Sequence, residues 1–575
     1  MYASRICLAV FSLSVLSQCQ AAADATLPNP AHFVQPFPMA ACHGLPLEDA
    51  GVAQIQRWYD SGALTVRQVV SCYLDRIAQI DPFVNAVMEL NPDALDIADQ
   101  LDRELNAGKK RSPMHGIVVL VKDNIASADK MQTTSGSLAL VGSIVPRDAH
   151  VVHLLREHGA VLLGHAGMSE WADMRSTDYS EGYSARRGQV RNSYNLTQTP
   201  GGSSSGSGHS VTTNMVTVAY GTETDGSIMS PAERSNIVGI KPTVGLTSRA
   251  GVIPESAHQD TVGAFGRTVE DAAYALDAIW GFDYRDDATL KQLGKTPENY
   301  VQFVSNKSAL EGMKVGIPWE RLWQGTSTKN QLPALLEAVE VLKQHGVEVY
   351  NNTNYKFVKE IVSPHGWDWT FSPANQSEVT VVNVDFYNNI AAYLSELGNT
   401  TIRSLEDIVA FNDAANNLGS EGGEPNVAAA FASGQDGFLG SLATKGIGNS
   451  TYKEALTWCR RTSRVDGIDY ALNPVMPDGR VVHLDALIIP SDDSSPGTSI
   501  PAQAGYPMIT VPIGIDEWHT PFGLSFIGTA FSEPTLIKLT SAAQDALGRH
   551  RRVKPTFYHY NATNIPVNSP IGTFF

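Results

Sequence analysis

Between Glu48 and Ile80 the apolar residues return every three or four positions, in two segments separated at Gly62 and closed by Asp81-Pro82. The spacing predicts two amphipathic helices. "NAVMEL" then alternates as a strand, and "NPDALDIADQLDRELNAG" returns to helical spacing with Pro92 early and Gly108 at its end. "GIVVLVKDN" is a short apolar run of the kind that forms a buried strand, and "DAHVVHLLREHGAVLLG" predicts a helix stopped near Gly159 with a strand after it. The alternation continues through "VTVAYG", "VEDAAYALDAIWG", "MKVGIP", "LPALLEAVEVLKQHGVEVY", "DALIIPS", "MITVPIGI", "FGLSFIGTA" and "PTLIKLTSAAQDALG". Strands alternating with helices specify an α/β fold, a sheet covered by helices on both faces. No internal repeat or linker breaks the pattern, so the more polar stretch from 350 to 450 is expected as insertions around one core.

With 575 residues, 43% of them hydrophobic, the chain can bury a large core. Its net charge of −17 argues against a nucleic-acid partner or an anionic membrane surface, both of which call for clustered Lys and Arg. The first residues, "MYASRICLAVFSLSVLSQCQAAADA", set Arg5 before an apolar run from Ile6 to Leu16 and small residues around Ala21 to Ala23. This is the layout of a cleaved secretion signal over 1–23, and the run is too short to span a bilayer. Removing it takes away Cys7 and Cys19 and leaves Cys42, Cys72 and Cys459, which allows either one disulfide and one thiol or three buried thiols. Sequons at Asn195, Asn306, Asn351, Asn375, Asn399, Asn449 and Asn561 fit passage through a glycosylating pathway. A secreted, extracellular protein is the expectation.

The candidate chemistry begins at Lys122, which ends the apolar run of "GIVVLVKDN". Burial there would disfavour the ammonium, and a lysine neutral near pH 7 can act as a general base. A lysine surfacing at a strand end would read the same way. "QTPGGSSSGSGHS", 198–210, is too rich in glycine and serine for a helix or strand and is read as a loop. It is not a phosphate cradle, because His209 follows Gly208 where Lys would be required. "GSSSG" fits a nucleophile elbow with Ser204 as nucleophile, but polar "YNLTQTPG" precedes it where a buried strand is needed. His150, His153 and His158 share a predicted helix without the carboxylate-and-histidine spacing of a metal site, so no metal is expected.

After "VTVAYG", the segment "TETDG" reads as a turn, and Ser230-Pro231 as the N-cap and first-turn proline of a helix. Ser227 therefore sits in a strand-to-helix connection. There the N–H groups of Asp225, Gly226 and Ser227 can point at a developing oxyanion, while Gly226 lets the chain approach a substrate closely.

"VKDN", "GGSSSGSG" and "GTETDGSI…PA…VGIKPT" together resemble the amidase signature family, hydrolases of carboxylic amides. The resemblance runs in order from Leu47 to Leu547; it is strongest over 111–280 and 485–547 and weak over 281–484. It implies one large α/β domain over 47–550, with a central mixed sheet flanked by helices on both faces and variable insertions within 281–484. A 24–46 extension would precede it and a 551–575 tail would follow. It also implies a Ser–cis-Ser–Lys triad: Lys122 as base, Ser203 as bridge at or beside a non-proline cis peptide, and Ser227 as nucleophile. The backbone N–H groups of Thr224, Asp225, Gly226 and Ser227 would hold the oxyanion, an acyl-enzyme would form on Ser227, and no metal or organic cofactor would be needed. Within the family the chain is similar to secreted peptide-amidase-like and fungal amidases, which points to small linear amides or C-terminal peptide amides as substrates.

Several positions depart from the family pattern. Ser205 stands where glycine is usual, Asp225 replaces a glycine before the nucleophile, Met229 replaces an arginine, and Glu223 is one carbon longer than the usual aspartate and lacks that arginine as partner. These leave room for two other readings: an esterase or lipid-amide hydrolase with the same triad, or a catalytically impaired extracellular binding protein. A tRNA-dependent amidotransferase subunit conflicts with the secretion signal and the acidic charge.

Overall fold

Thirteen strands organise the described residues: β1 (Val87–Leu90), β2 (Val118–Lys122), β3 (Val161–Ala166), β4 (Tyr183–Ser184), β5 (Gly188–Gln189), β6 (Val218–Glu223), β7 (Val238–Lys241), β8 (Thr261–Gly266), β9 (Lys314–Ile317), β10 (Glu348–Asn351), β11 (Ala486–Ser491), β12 (Met508–Ile515) and β13 (Pro521–Ile527). They come from a computed structural model that describes residues 37–325, 331–414, 422–491, 496–548 and 552–559. The secretion signal read at 1–23, with Cys7 and Cys19, and the sequon at Asn561 lie outside the described residues.

Apart from the β4–β5 pair, the strands form one 11-stranded sheet in the order β1-β3-β2-β6-β8-β7-β12-β13-β11-β9-β10. It is mixed. β2 runs parallel to both β3 and β6, whereas β6, β8, β7, β12 and β13 pair antiparallel in turn. Every residue of β2, β3, β6, β7 and β8 is buried, as expected of strands covered on both faces, and this explains their near-continuous apolar sequences. The C-terminal ends of parallel β2 and β6 lie side by side, bringing Lys122 next to Thr222.

Three local expectations are corrected. The helix expected to stop at Asp81-Pro82 runs on as Val66–Val84, with Pro82 in its last turn and Asn85 ending it in the left-handed region (φ 56°). The lost amide donor falls at the helix end, and the Asp81 carboxylate gathers the departing chain by accepting from the N–H groups of Ala86 (2.6 Å) and Val87 (3.1 Å). The Gly/Ser stretch read as a loop over 198–210 is a loop as far as Ser204 and then a helix, Ser205–Thr212, buried at every residue. Its composition answers to packing. A Cβ at Gly206 would collide with Ala86 O and the Gly167 backbone, and one at Gly208 would meet Ser235 Oγ at 2.6 Å. Finally, Ser230 is not an N-cap: the helix Met229–Arg234 starts after Ile228, and the Glu223 carboxylate takes its first donors, the N–H groups of Ile228 (2.7 Å) and Met229 (3.0 Å).

Of the cysteine arrangements left open, the structure has one disulfide, Cys42–Cys72, and one buried thiol, Cys459. The polar stretch from 350 to 450 carries the helices Glu378–Glu396, Leu405–Asp413 and Asp436–Thr444. Val382, Phe386, Ile390 and Phe438 pack there with Trp171, Met174 and Ile253 as a second apolar cluster beside the main core. Part of the segment read as a tail also packs onto the body, where Tyr194 Oη donates to Val553 O (2.7 Å) and Phe557 is fully buried. Among the described residues no helix is long and apolar enough to cross a membrane.

Candidate active site

Lys122 closes β2 with its side chain fully buried. Its Nζ lies 2.7 Å from Ser203 Oγ and donates to Thr222 Oγ1 (2.9 Å) and to Thr222 O (3.3 Å). Burial drives the ammonium down from 10.5 to about 8, against the opposing pull of Glu255, Asp173, Glu181 and Asp260. The same burial raises those of the carboxyls whose shifts are resolved: Asp173 rises to about 6, and Glu255, also repelled by Asp260, stands well above its ordinary range. Asp173 is delivered there by a left-handed turn, with φ of 53°, 52° and 80° at Trp171, Ala172 and Asp173.

From Lys122 the line continues. Ser203 Oγ lies 2.9 Å from Ser227 Oγ, and the Gly202–Ser203 peptide is cis. Ser204, the elbow candidate, is committed elsewhere: its Oγ donates to Thr222 O (3.1 Å) and accepts from Thr222 N (3.3 Å). His209 is also structural, with Nδ1 3.3 Å from Ser193 N and Nε2 3.0 Å from Pro200 O. Among the described residues no group of three or more His, Cys, Asp or Glu side chains could hold a metal ion, and His153 is simply exposed.

Of Thr224, Asp225, Gly226 and Ser227, only Gly226 has a positive φ (81°), so aspartate at 225 meets no backbone penalty. Among the described residues, the N–H groups of Asp225, Gly226 and Ser227 donate no hydrogen bond, whereas those of Ile228 and Met229 are taken by Glu223. Three unused donors in a row beside a serine hydroxyl form a place for negative oxygen. The Asp225 side chain is turned aside, its Oδ2 accepting from Trp367 Nε1 (2.6 Å) and Ser499 Oγ (2.8 Å). Burial holds that carboxyl above its ordinary value. Ser499 also lines a small pocket with Ile361, Trp369, Phe371, Glu378 and Gln503.

Several participants carry no sequence signal of their own. Thr222 braces Lys122 and accepts from Asn124 Nδ2 (2.9 Å); Thr224 Oγ1 donates to Asp260 Oδ1 (2.7 Å). Nearby, the Ser169 N–H donates to Ser203 O (3.1 Å), and Asn192 Nδ2 donates to Thr199 O (2.9 Å). Asn195 is buried, with Nδ2 donating to Trp518 O, unlike the exposed sequon residues Asn306, Asn351, Asn375, Asn399 and Asn449.

Known proteins share this architecture over nearly its whole length. Residues 68–537 match the sequence model of the Amidase family. A Schizosaccharomyces pombe protein named as an amidase is 54% identical over 540 residues, covering 92% of this chain and 90% of that protein. An Arabidopsis thaliana protein, also named as an amidase, is 41% identical over 505 residues, covering 87% and 90%. The solved structure of native peptide amidase from Stenotrophomonas maltophilia superposes with a TM-score of 0.79 at 38% identity, covering 89% of this chain and 99% of that one. The protein is thus an amide-hydrolysing enzyme of the amidase signature family.

Proposed function

We propose that the protein is a secreted amidase that hydrolyses small linear amides or the C-terminal amides of peptides through an acyl-enzyme on Ser227, with Ser203 as bridge and Lys122 as base. The observation that carries this reading is the unbroken Nζ–Oγ–Oγ line, 2.7 and 2.9 Å, ending beside three unused backbone donors. A neutral Lys122 suits its contacts: two N–H bonds can go to the oxygens of Thr222, leaving the lone pair for the Ser203 hydroxyl. As Ser227 Oγ bonds to the amide carbon, its proton passes to Ser203 and the Ser203 proton to Lys122. The N–H groups of Thr224 to Ser227 stabilise the oxyanion. The same relay returns a proton to the departing nitrogen as the C–N bond breaks. Water, deprotonated along the line, then releases the carboxylic acid.

The likeness to peptide amidase over almost the full length of both chains supports C-terminal peptide amides as substrates. Secretion draws support from the signal-like first residues, the Cys42–Cys72 disulfide and the exposed sequons. The test is ammonia release from aliphatic, aromatic and peptide C-terminal amides, with matching esters alongside, by wild type and Ser227→Ala. Release by wild type alone supports the reading and the panel names the substrate. A folded wild type inert on every amide would sink it, and cleavage of esters alone would replace it with an esterase.

A further inference from the structure

Gln259 stands outside the Lys122–Ser203–Ser227 line, yet it grips the turn that carries Ser227. Its Nε2 donates to Thr224 O (3.2 Å) and to Glu378 Oε1 (2.6 Å). Because the Thr224 carbonyl can only accept, the nitrogen of the Gln259 amide, not its oxygen, must face it. Glu378 is the first residue of the helix Glu378–Glu396, and its Oε2 accepts from Gln503 Nε2 (2.9 Å). Gln259 and Glu378 are both 3% exposed, so these bonds are shielded from water. The next residue, Asp260, accepts from Thr224 Oγ1 and from the N–H groups of Glu255 and Ser256. Consecutive residues thus hold Thr224 by its carbonyl and by its hydroxyl.

A trans peptide unit is planar, with its C=O and N–H directed oppositely. Fixing Thr224 C=O on Gln259 therefore fixes the direction of the Asp225 N–H, which points away from Gln259 and donates to nothing among the described residues. We propose that Gln259, steadied by Glu378, is a positioning residue that aims the Asp225 N–H at the oxyanion formed when Ser227 attacks. The inference rests on the amidase reading above and deepens it. It also gives the 281–484 region, where the family resemblance is weak, a part in the chemistry through Glu378. A peptide free to tilt by tens of degrees would keep the fold and the substrate but lose the donor at the moment negative charge appears.

The test compares wild type with Gln259→Leu, similar in bulk and without donors, in the full-length protein. The readouts are steady-state kinetics on an amide that wild type cleaves, inhibition by the aldehyde of the same acyl group, and inhibition by the product acid. Ser227 adds to the aldehyde as a hemiacetal whose oxygen occupies the oxyanion position. The expected result is a kcat lower by roughly 10- to 100-fold, KM and product inhibition within about twofold, and aldehyde affinity lower by the same factor as kcat. Glu378→Gln, which keeps an acceptor for Gln259, should retain most of kcat. A merely structural brace would instead shift KM, product binding and melting temperature together. The inference is overturned if folded Gln259→Leu keeps kcat and aldehyde affinity within twofold of wild type, or loses kcat without losing aldehyde affinity. Gln259→Met is read in the same way should the leucine variant not fold. If wild type cleaved no amide, the amidase reading would fall, and aldehyde binding alone would still judge Gln259.

Discussion

Two hydrogen-bonded lines leave consecutive residues at the end of β2, and only one of them ends beside unspent backbone donors among the described residues. Lys122 leads to Ser203 and Ser227. Asp123 leads to His165 and Ser127, with Asp123 Oδ1 2.9 Å from His165 Nδ1 and His165 Nε2 2.9 Å from Ser127 Oγ. By residue type the second is a Ser-His-Asp arrangement, and all three side chains are buried. Its surroundings differ. Ser127 Oγ also donates to Asp129 (3.1 Å), itself paired with Arg156, and Asp123 accepts further bonds from Thr134 Oγ1 and Gly136 N. The backbone N–H groups of Ala126, Ser127 and Ala128 are all spent, on Gly251 O, Thr133 Oγ1 and Asp148 Oδ1. Around Ser227 three successive N–H groups are unspent. A triad without unspent donors has nothing with which to stabilise an oxyanion; it pins a loop.

The largest way to break this comparison is at its two leading residues. Lys122→Met removes the proposed base and should lower kcat/KM by about 10³-fold or more with the fold intact by circular dichroism. A variant within tenfold of wild type would remove Lys122 from the mechanism. The pH profile sharpens the same point without mutation. In the proposed mechanism Lys122 acts in its neutral form, and burial pushes its pKa down to about 8, so kcat/KM should rise about tenfold per pH unit below that value and level off above it. An activity that falls as pH climbs from 6 to 8 would contradict a lysine base.

Ser127→Ala should do the reverse. Ammonia release is expected to stay within about threefold of wild type, while the unfolding free energy in a denaturant titration drops by about 1–3 kcal/mol, because His165 and Asp129 each lose a buried partner. Loss of activity on the scale of Lys122→Met would mean that the second line reacts after all.

The site was legible where its chemistry follows a local pattern. Lys122 ends a run of buried β-branched residues, and Ser227 lies between a strand and a helix behind a glycine that needs positive φ. The two are joined through Ser203, 81 residues from Lys122 and 24 from Ser227, and only the likeness of the glycine-serine segment to a family motif marked that serine. The segment itself was misread because propensity counts glycine and serine against a helix, while close backbone contacts at Gly206 and Gly208 require them. Gln259 and Glu378 are 119 residues apart, and no periodicity or turn signal links them. Ser230 is not the cap because the helix opens before it, where the buried Glu223 carboxylate takes the N–H groups of Ile228 and Met229. Short-range pattern thus reveals which residues end strands and open helices; partners brought together by sheet topology leave no such trace.

The smallest expected effect tests whether the backbone or the side chain of Asp225 matters. Its Oδ2 accepts from Trp367 Nε1 and Ser499 Oγ, and an asparagine oxygen can accept both. Asp225→Asn leaves the backbone N–H in place and should change kcat by no more than about threefold. Asp225→Ala strands two donors and should cost about 1–3 kcal/mol of stability in the same denaturant titration, with a modest loss of rate. If instead Asp225→Asn lost more than about tenfold in kcat while melting like wild type, the carboxylate itself would be acting on the substrate. The aspartate that departs from the family's glycine would then belong with the reacting groups, and the contrast between the two lines would rest on a side chain as well as on unspent backbone donors.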